Sequence, residues 1–160
     1  MESLVDTYKK SAVDGMEHFL KVFSFVPDDK LDWTPAPTAK SAIRIAAHTA
    51  LYPARFAGMI SNRKLPSHDN LEAWLAQRNA AEVAITSREE VEMIFRKGTD
   101  QVLAALESLT PEEIEMTLDS GFGWSVPMTW LMNLSGIHAI AHAAQIDYLQ
   151  TCWDDQEVHF

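Results

Sequence analysis

The chain contains a single cysteine, Cys152, and no long apolar run. One cysteine excludes a disulfide within the chain and is typical of a reducing compartment. No run approaches the roughly 20 apolar residues that cross a bilayer. The first residues, Met1 to Asp6, also lack the basic and apolar regions of a secretory signal. We therefore expect a cytoplasmic protein without membrane partners.

Basic residues are also few. The sequence has 13 Lys and Arg against 23 Asp and Glu, and its formal net charge is -10. These basic residues are scattered along the sequence, whereas nucleic acids and anionic membrane surfaces are bound by clusters of positive charge. We expect neither as a partner. The length of 160 residues fits one domain, residues 1–160, with one core.

Strand-like alternation of useful length is missing, and apolar residues recur instead at intervals of three and four, the spacing of amphipathic helices. The third of the helices that this spacing predicts begins at a capping box, Ser87 to Glu90. Pro53 lies inside the second and should kink it or remove one hydrogen bond. The predicted long helices cover about residues 3–26, 41–60, 87–109 and 127–153.

The connections between these helices are long. They hold a predicted turn at 28–31 and a predicted short helix at 71–77. Each long helix has an apolar stripe to bury, and four such helices bury their stripes against one another. The sequence thus predicts an all-α fold, a four-helix bundle with long loops and one or two short connecting helices.

Two histidines lie four residues apart in the last predicted helix. His138 and His142 therefore point the same way and fall on its apolar stripe, while His48 falls on the apolar stripe of the second helix. A buried imidazole needs hydrogen-bond partners or a metal ion to offset its lost hydration. The three are either separate core residues or ligands of one ion.

The surrounding residues narrow the kind of metal site. Position 139 is alanine, so the pair is not an H-E-x-x-H protease motif, and the sequence has no Glu-x-x-His pair of a di-iron bundle. Gln145 lies on the same face as His142 and is predicted either to bond a ligand histidine or a metal-bound water, or to form a simple hydrogen bond between helices.

Several other residues have side chains that bind metals or anions in some proteins. Arg44 and Arg55 lie near His48 in sequence and would either anchor a substrate carboxylate or be ordinary exposed arginines. His18 is more typical of a helix boundary than of a ligand. His68 and His159 are predicted to lie on the surface, and Cys152 is predicted to pack in the bundle.

Three groups of residues carry a resemblance to a known family: Trp33, Thr34 and Pro35 in a connection, His48 in the second helix, and His138, His142 and Gln145 in the last. With these residues the chain resembles the DinB/YfiT-like superfamily of metal-binding four-helix bundles over nearly its whole length. Two positions depart from the family pattern: Ala144, where glycine is frequent, and Gln150, where a basic residue is frequent. Both departures weaken any inference from the family about which residues of this chain would contact a substrate.

The resemblance implies that His48, His138 and His142 bind one divalent ion, zinc or nickel, with water completing its shell. Three protein ligands and an open position are typical of catalytic sites. Some members of the superfamily are thiol S-transferases or isomerases, in which a thiol such as mycothiol or bacillithiol binds the metal and attacks an electrophile. The family also implies a homodimer. The sequence assigns no catalytic residue.

The leading hypothesis for function is therefore a metal-dependent thiol S-transferase or isomerase, with a small-molecule thiol and an electrophile as partners. A non-enzymatic metal-binding dimeric helper protein is the first alternative. A metal-dependent hydrolase is the second, and it requires a general base near the ion that the sequence does not clearly supply.

Overall fold

The computed structural model describes residues 3–66 and 70–159. Four long helices pack as a bundle, so the predicted all-α fold is confirmed. A 3₁₀ turn (Asp28–Lys30) and two further helices lie in the connections. None of the described helices is both long and apolar enough to cross a membrane. The helices are α1 (Leu4–Ser24), α2 (Ala42–Asn62), α3 (Leu71–Val83), α4 (Arg88–Glu107), α5 (Pro111–Ile114) and α6 (Met128–Thr151).

A small hairpin before α6 was not predicted. Strands β1 (Thr117–Asp119) and β2 (Ser125–Pro127) pair antiparallel, with Leu118 opposite Val126. Strands of three residues are too short to show an alternating pattern, and the intervening glycines read as an irregular loop. The hairpin also makes Pro127 the residue before α6 rather than its first residue.

Helix α3 is longer than the predicted short helix. Its first turn is capped by the side chain of Asn70, which accepts a hydrogen bond from the backbone N–H of Ala73 at 2.9 Å. The helix then continues through 13 residues to Val83. The prediction ended it at about residue 77, because its buried face is weakly apolar. This extension matters because the only buried residue of α3 is Glu82.

Close backbone contacts fix the packing of the long helices. A Cβ atom on Gly15 of α1 would lie 2.9 Å from the Cα of Gly136 of α6, so these two backbones touch. Gly98 of α4 faces Pro53 of α2, where an added Cβ would lie 3.1 Å from the proline Cβ. Helix α2 continues through Pro53 to Asn62. Small residues thus set the distances within the pairs α1–α6 and α2–α4.

The remaining helix contacts complete the bundle and place α3 beside it. Helix α6 also packs against α2, and α3 packs against α2 at the outside of the bundle. The core includes large side chains from every long helix, among them Phe19 of α1, Ile60 of α2, Phe95 of α4 and Leu131 of α6. Residues on α2, α3 and α6 therefore come together along one side.

We expect the substitution Gly136→Ala to destabilise the fold. The added Cβ would collide with the side chain of Ser11 and lie 2.6 Å from its carbonyl oxygen, which forces α1 and α6 apart. Overpacking of this kind costs about 1–3 kcal/mol of the free energy of unfolding, measurable by urea denaturation.

Gly58→Ala on α2 is the matched control. A Cβ there has no atom within 4 Å, and alanine favours a helix over glycine by about 0.5–1 kcal/mol. The control should therefore be neutral or slightly stabilising. Equal stability of the Gly136→Ala variant and the wild type would contradict the close α1–α6 contact.

Candidate metal centre

The three histidines singled out in the sequence converge between α2 and α6. The Nε2 atom of His138 lies 3.4 Å from Nε2 of His48 and 3.1 Å from Nε2 of His142. Two nitrogens bound tetrahedrally to one zinc ion at about 2.0–2.1 Å are about 3.3 Å apart. Both distances are compatible with ligands of one ion. All three ligand nitrogens lie within 4.8 Å of one another, so the three side chains could hold a metal ion.

Hydrogen bonds at the opposite side of two rings determine which nitrogen carries the proton. The Nδ1 atom of His48 lies 2.7 Å from Oε1 of Glu82, and Nδ1 of His142 lies 2.7 Å from Oε1 of Gln145. Both oxygens are acceptors, so each Nδ1 donates a proton and each Nε2 is left with a free lone pair. The lone pairs of His48 and His142 both face Nε2 of His138, which can either donate a proton to one of them or share a metal ion with both.

Glu82 is itself held by basic side chains. Its side chain is only 2% exposed, and its Oε2 accepts from Nζ of Lys40 at 2.7 Å and from Nη2 of Arg44 at 3.5 Å. Burial alone raises the pKa of Glu82, but the hydrogen bonds from Lys40 and His48 outweigh burial and lower the pKa below its ordinary value. The carboxylate is therefore ionised when it accepts from His48.

Burial keeps the three imidazoles neutral. It is the main cause that lowers the pKa of each, and for His138 the neighbouring charges of His142 and His48 add to it and lower the pKa to about 3. For His48 and His142 the hydrogen bonds to Glu82 and Gln145 partly offset burial. Neutral imidazole is the form that binds a metal ion, so little protonation must be reversed at neutral pH.

Aromatic rings cover part of the centre without sealing it. Tyr52 stacks on His138 with ring centroids 4.7 Å apart, and Phe56 meets the same histidine edge-on at 5.4 Å. The side chain of His48 remains 14% exposed. Tyr52 also lines a cavity of about 510 Å³ together with Arg55 and other residues of α2 and α3. The centre is thus adjacent to a space that a small molecule can enter.

A family model of the DinB superfamily matches residues 14–146. The chain belongs to the DinB superfamily. Its fold is similar to that of a DinB-like protein from Bacillus subtilis, with 19% identity, coverage of 96% of each chain and a TM-score of 0.67. A conserved protein from Enterococcus faecalis is similar over 92% of this chain and 95% of its own, with 16% identity and a TM-score of 0.68.

The DinB fold is also shared by an enzyme. A mycothiol-dependent maleylpyruvate isomerase is similar over 91% of this chain with 12% identity and a TM-score of 0.68. The present chain spans 63% of that enzyme's length. At such identities the likeness shows the fold alone. No curated protein sequence matches the chain significantly.

Glu82, which places a negative charge beside the candidate metal centre, was not predicted from the sequence. It is 34 residues from His48 in the chain, and it lies in the part of α3 that the periodicity did not predict. Glutamate is rarely buried, and no single-sequence feature distinguishes this one from the exposed acidic residues of the chain. The packing of α3 on α2 is what brings it to His48.

Arg44 bonds Glu82, and Arg55 lies over the ring of Tyr52. The other described histidines and Cys152 are not part of the centre. His18 is not part of the histidine cluster. His68 lies outside the described residues. The surface prediction for His159 is wrong, because it is 5% exposed and stacks on Phe25 at 4.3 Å. The packing prediction for Cys152 is also wrong, because its side chain is exposed at the end of α6.

We expect Glu82→Gln to weaken metal binding by this DinB protein about 10- to 100-fold, the usual effect of losing a carboxylate that supports a ligand histidine. Glutamine can still accept from Nδ1 of His48, so the variant removes chiefly the negative charge that makes the imidazole more basic. Competition of zinc with a chromophoric chelator measures the dissociation constant.

Glu72→Gln removes the same charge from the same helix, at an exposed position. This control should keep the wild-type affinity. Equal affinities of the Glu82 and Glu72 variants would show that the buried carboxylate does not support the metal ligand.

Proposed function

We propose that this protein binds one divalent metal ion, zinc or nickel, through His48, His138 and His142, and that it transfers a low-molecular-weight thiol to an electrophile or uses the thiol in an isomerisation. The observation that carries the proposal is the convergence of three Nε2 atoms at 3.1 and 3.4 Å. Glu82 and Gln145 orient two of these rings from the outer side.

The donor set suits a catalytic site rather than a closed structural one. Within residues 3–66 and 70–159, these three histidines are the one such group of potential ligands. Structural zinc sites have four protein ligands, whereas three leave a position for an exogenous donor. An ion held here would supply positive charge that favours the thiolate form of a thiol at neutral pH.

The thiol reaction needs little further protein chemistry. With a halide, the sulfur forms a bond to the electrophilic carbon, the halide leaves, and the thiol proton goes to solvent. With an epoxide, the C–O bond opens as the C–S bond forms, and the ring oxygen takes up a proton that replaces the one lost from the thiol. The chain's part is to orient the thiol and the electrophile at the open side of the histidines. The mycothiol dependence of an isomerase with the same fold supports this proposal.

A hydrolase is less well supported by the same geometry. Activation of water needs a general base on the open side of the site. Glu82 contacts a histidine of the centre, but it bonds Nδ1 of His48, on the side of the ring away from the converging Nε2 atoms. Its other oxygen is bound by Lys40. A helper protein without activity would not need the adjacent cavity of about 510 Å³.

Metal analysis and a thiol assay test the proposal together. Protein purified without chelator, or reconstituted with zinc or nickel, should contain about one ion per chain and accelerate thiol consumption by chlorinated or epoxide electrophiles. His142→Ala should lose the ion and the activity, whereas His18→Ala should keep both. Wild-type protein that takes up no metal would contradict the whole proposal. Metal uptake without thiol consumption would contradict the thiol reaction and favour the non-enzymatic helper protein.

We also propose a homodimer formed through the outer face of α6. That helix has apolar residues on its outer face as well as on its buried face, which is typical of helices that are covered on more than one side. Its outer face exposes Trp130, Ile137 and Tyr148, which recur at helical spacing and are 46%, 52% and 68% exposed. A second copy of the chain would bury this face.

We expect Ile137→Glu to shift the protein from dimer to monomer in sedimentation velocity, because the substitution places a charge in the apolar contact. Met93→Glu on α4, where the native side chain is 63% exposed, is the matched control and should remain dimeric. A monomeric wild type at micromolar concentration would refute the proposed interface.

A further inference from the structure

One arginine differs from all others in the chain. The sequence has six arginines, and five of them form an ion pair with a carboxylate. Arg55 has no carboxylate partner within residues 3–66 and 70–159. In a protein with a net charge of -10, acidic side chains are plentiful, so an unpaired arginine marks a place where an external anion can supply the counter-charge.

The guanidinium of Arg55 is held between two aromatic rings. Its Cζ lies 5.1 Å from the ring centroid of Tyr52 and 5.8 Å from that of Trp74. These contacts orient the charge without neutralising it. Its Nη1 is screened from solvent and has no hydrogen-bond partner among the described residues. A buried donor without a partner is unfavourable, and a bound acceptor would relieve that cost.

Arg55 lines the cavity of about 510 Å³ beside the metal centre. Met59 and Trp74 give this cavity an apolar wall, and Gln77 adds one amide. The cavity shares Tyr52 with the centre, since that ring also stacks on His138 at 4.7 Å. A molecule in the cavity therefore lies one aromatic ring away from the metal ligands.

We propose that this cavity binds a small organic carboxylate, with Arg55 as the counter-ion and with Trp74 and Met59 packing against the apolar part of the molecule. The planar fork of an arginine matches a carboxylate at two points. A single arginine in an aromatic and apolar cavity fits this ligand better than a phosphate, which is usually bound by several cations or backbone N–H groups. Because Nη1 is screened in this conformation, two-point binding requires a small rotation of the guanidinium.

The proposal names a substrate class for the site described above. It rests on the proposed function only for the role of the ligand, because the carboxylate would belong to the thiol or to the electrophile. Binding itself depends on Arg55 and the cavity rather than on the metal. The two proposals can therefore fail separately.

Benzoate and benzamide are the probes. They have the same shape and differ in charge, so their comparison isolates the ion pair. Calorimetric titration of the zinc-loaded protein should detect benzoate in the millimolar range and benzamide at least about tenfold more weakly, a difference of about 1.4 kcal/mol. Arg55→Gln should weaken benzoate binding at least about tenfold and change benzamide binding little.

Two further variants test the role of the guanidinium fork and provide a control at another arginine. Arg55→Lys retains the charge but loses the planar fork, so it should bind benzoate with intermediate affinity even if the glutamine variant folds poorly. Arg96→Gln removes an exposed arginine that pairs with Glu17 and Glu92, and it should bind benzoate as the wild type does. Thermal melts confirm that each variant is folded.

The contrary results are distinct. If benzoate binding is lost in His142→Ala and kept in Arg55→Gln, the carboxylate binds the metal ion and the Arg55 proposal is overturned while the metal centre stands. Failure of the wild type to bind benzoate at millimolar concentration overturns it as well. If the thiol assay is negative but Arg55→Gln abolishes benzoate binding, the anion site stands and the proposed thiol chemistry fails.

Discussion

The charge of Glu82 is buried where α3, α2 and the segment before α2 meet, and the orientation of His48 depends on it. A carboxylate that is 2% exposed loses most of its hydration, so it must be compensated by partners. Lys40 supplies one charge-assisted hydrogen bond, and the Nδ1–H of His48 supplies another. Because the carboxylate stays ionised, it holds the imidazole in the tautomer whose Nε2 lone pair faces the other two histidines. One buried charge thereby joins the packing of α3 to the geometry of the proposed metal site.

The other two histidines depend on backbone packing rather than on charge. Gly136 lies two residues before His138, and its contact with α1 leaves no room for a side chain. This contact fixes the depth of α6 in the bundle, and with it the side on which His138 and His142 face α2. Gln145 then sets the ring of His142 from within the same helix. The centre thus combines a pair of histidines on α6 with a histidine on α2 whose orientation is set from α3.

The sequence was informative wherever side-chain periodicity decides the outcome. Four apolar stripes predicted the bundle, and the same stripes placed His48, His138 and His142 on inward faces, because an i, i+4 pair must share a face of a helix. Periodicity says nothing about partners across a connection. It therefore missed Glu82, whose burial follows from the docking of α3. It ended α3 early because Glu82 is the only buried residue of that helix, so the residues after position 77 have no apolar stripe. The strands of the hairpin are too short to carry any period.

The distribution of charge bears on how a ligand would be selected. Residues 98–160, which include α6, contain no lysine or arginine. The basic groups that pair with Glu82 or line the cavity come from α2, α3 and the segment before α2. Lys40, Arg44 and Arg78 lie around Glu82, and Arg55 alone lacks a carboxylate among the described residues. The net charge of -10 repels anions at long range, but screening in physiological salt limits that repulsion to about 8 Å. An anionic ligand would therefore be chosen by contacts inside the cavity, where Arg55 lies over the ring that stacks on His138, and not by attraction from a distance.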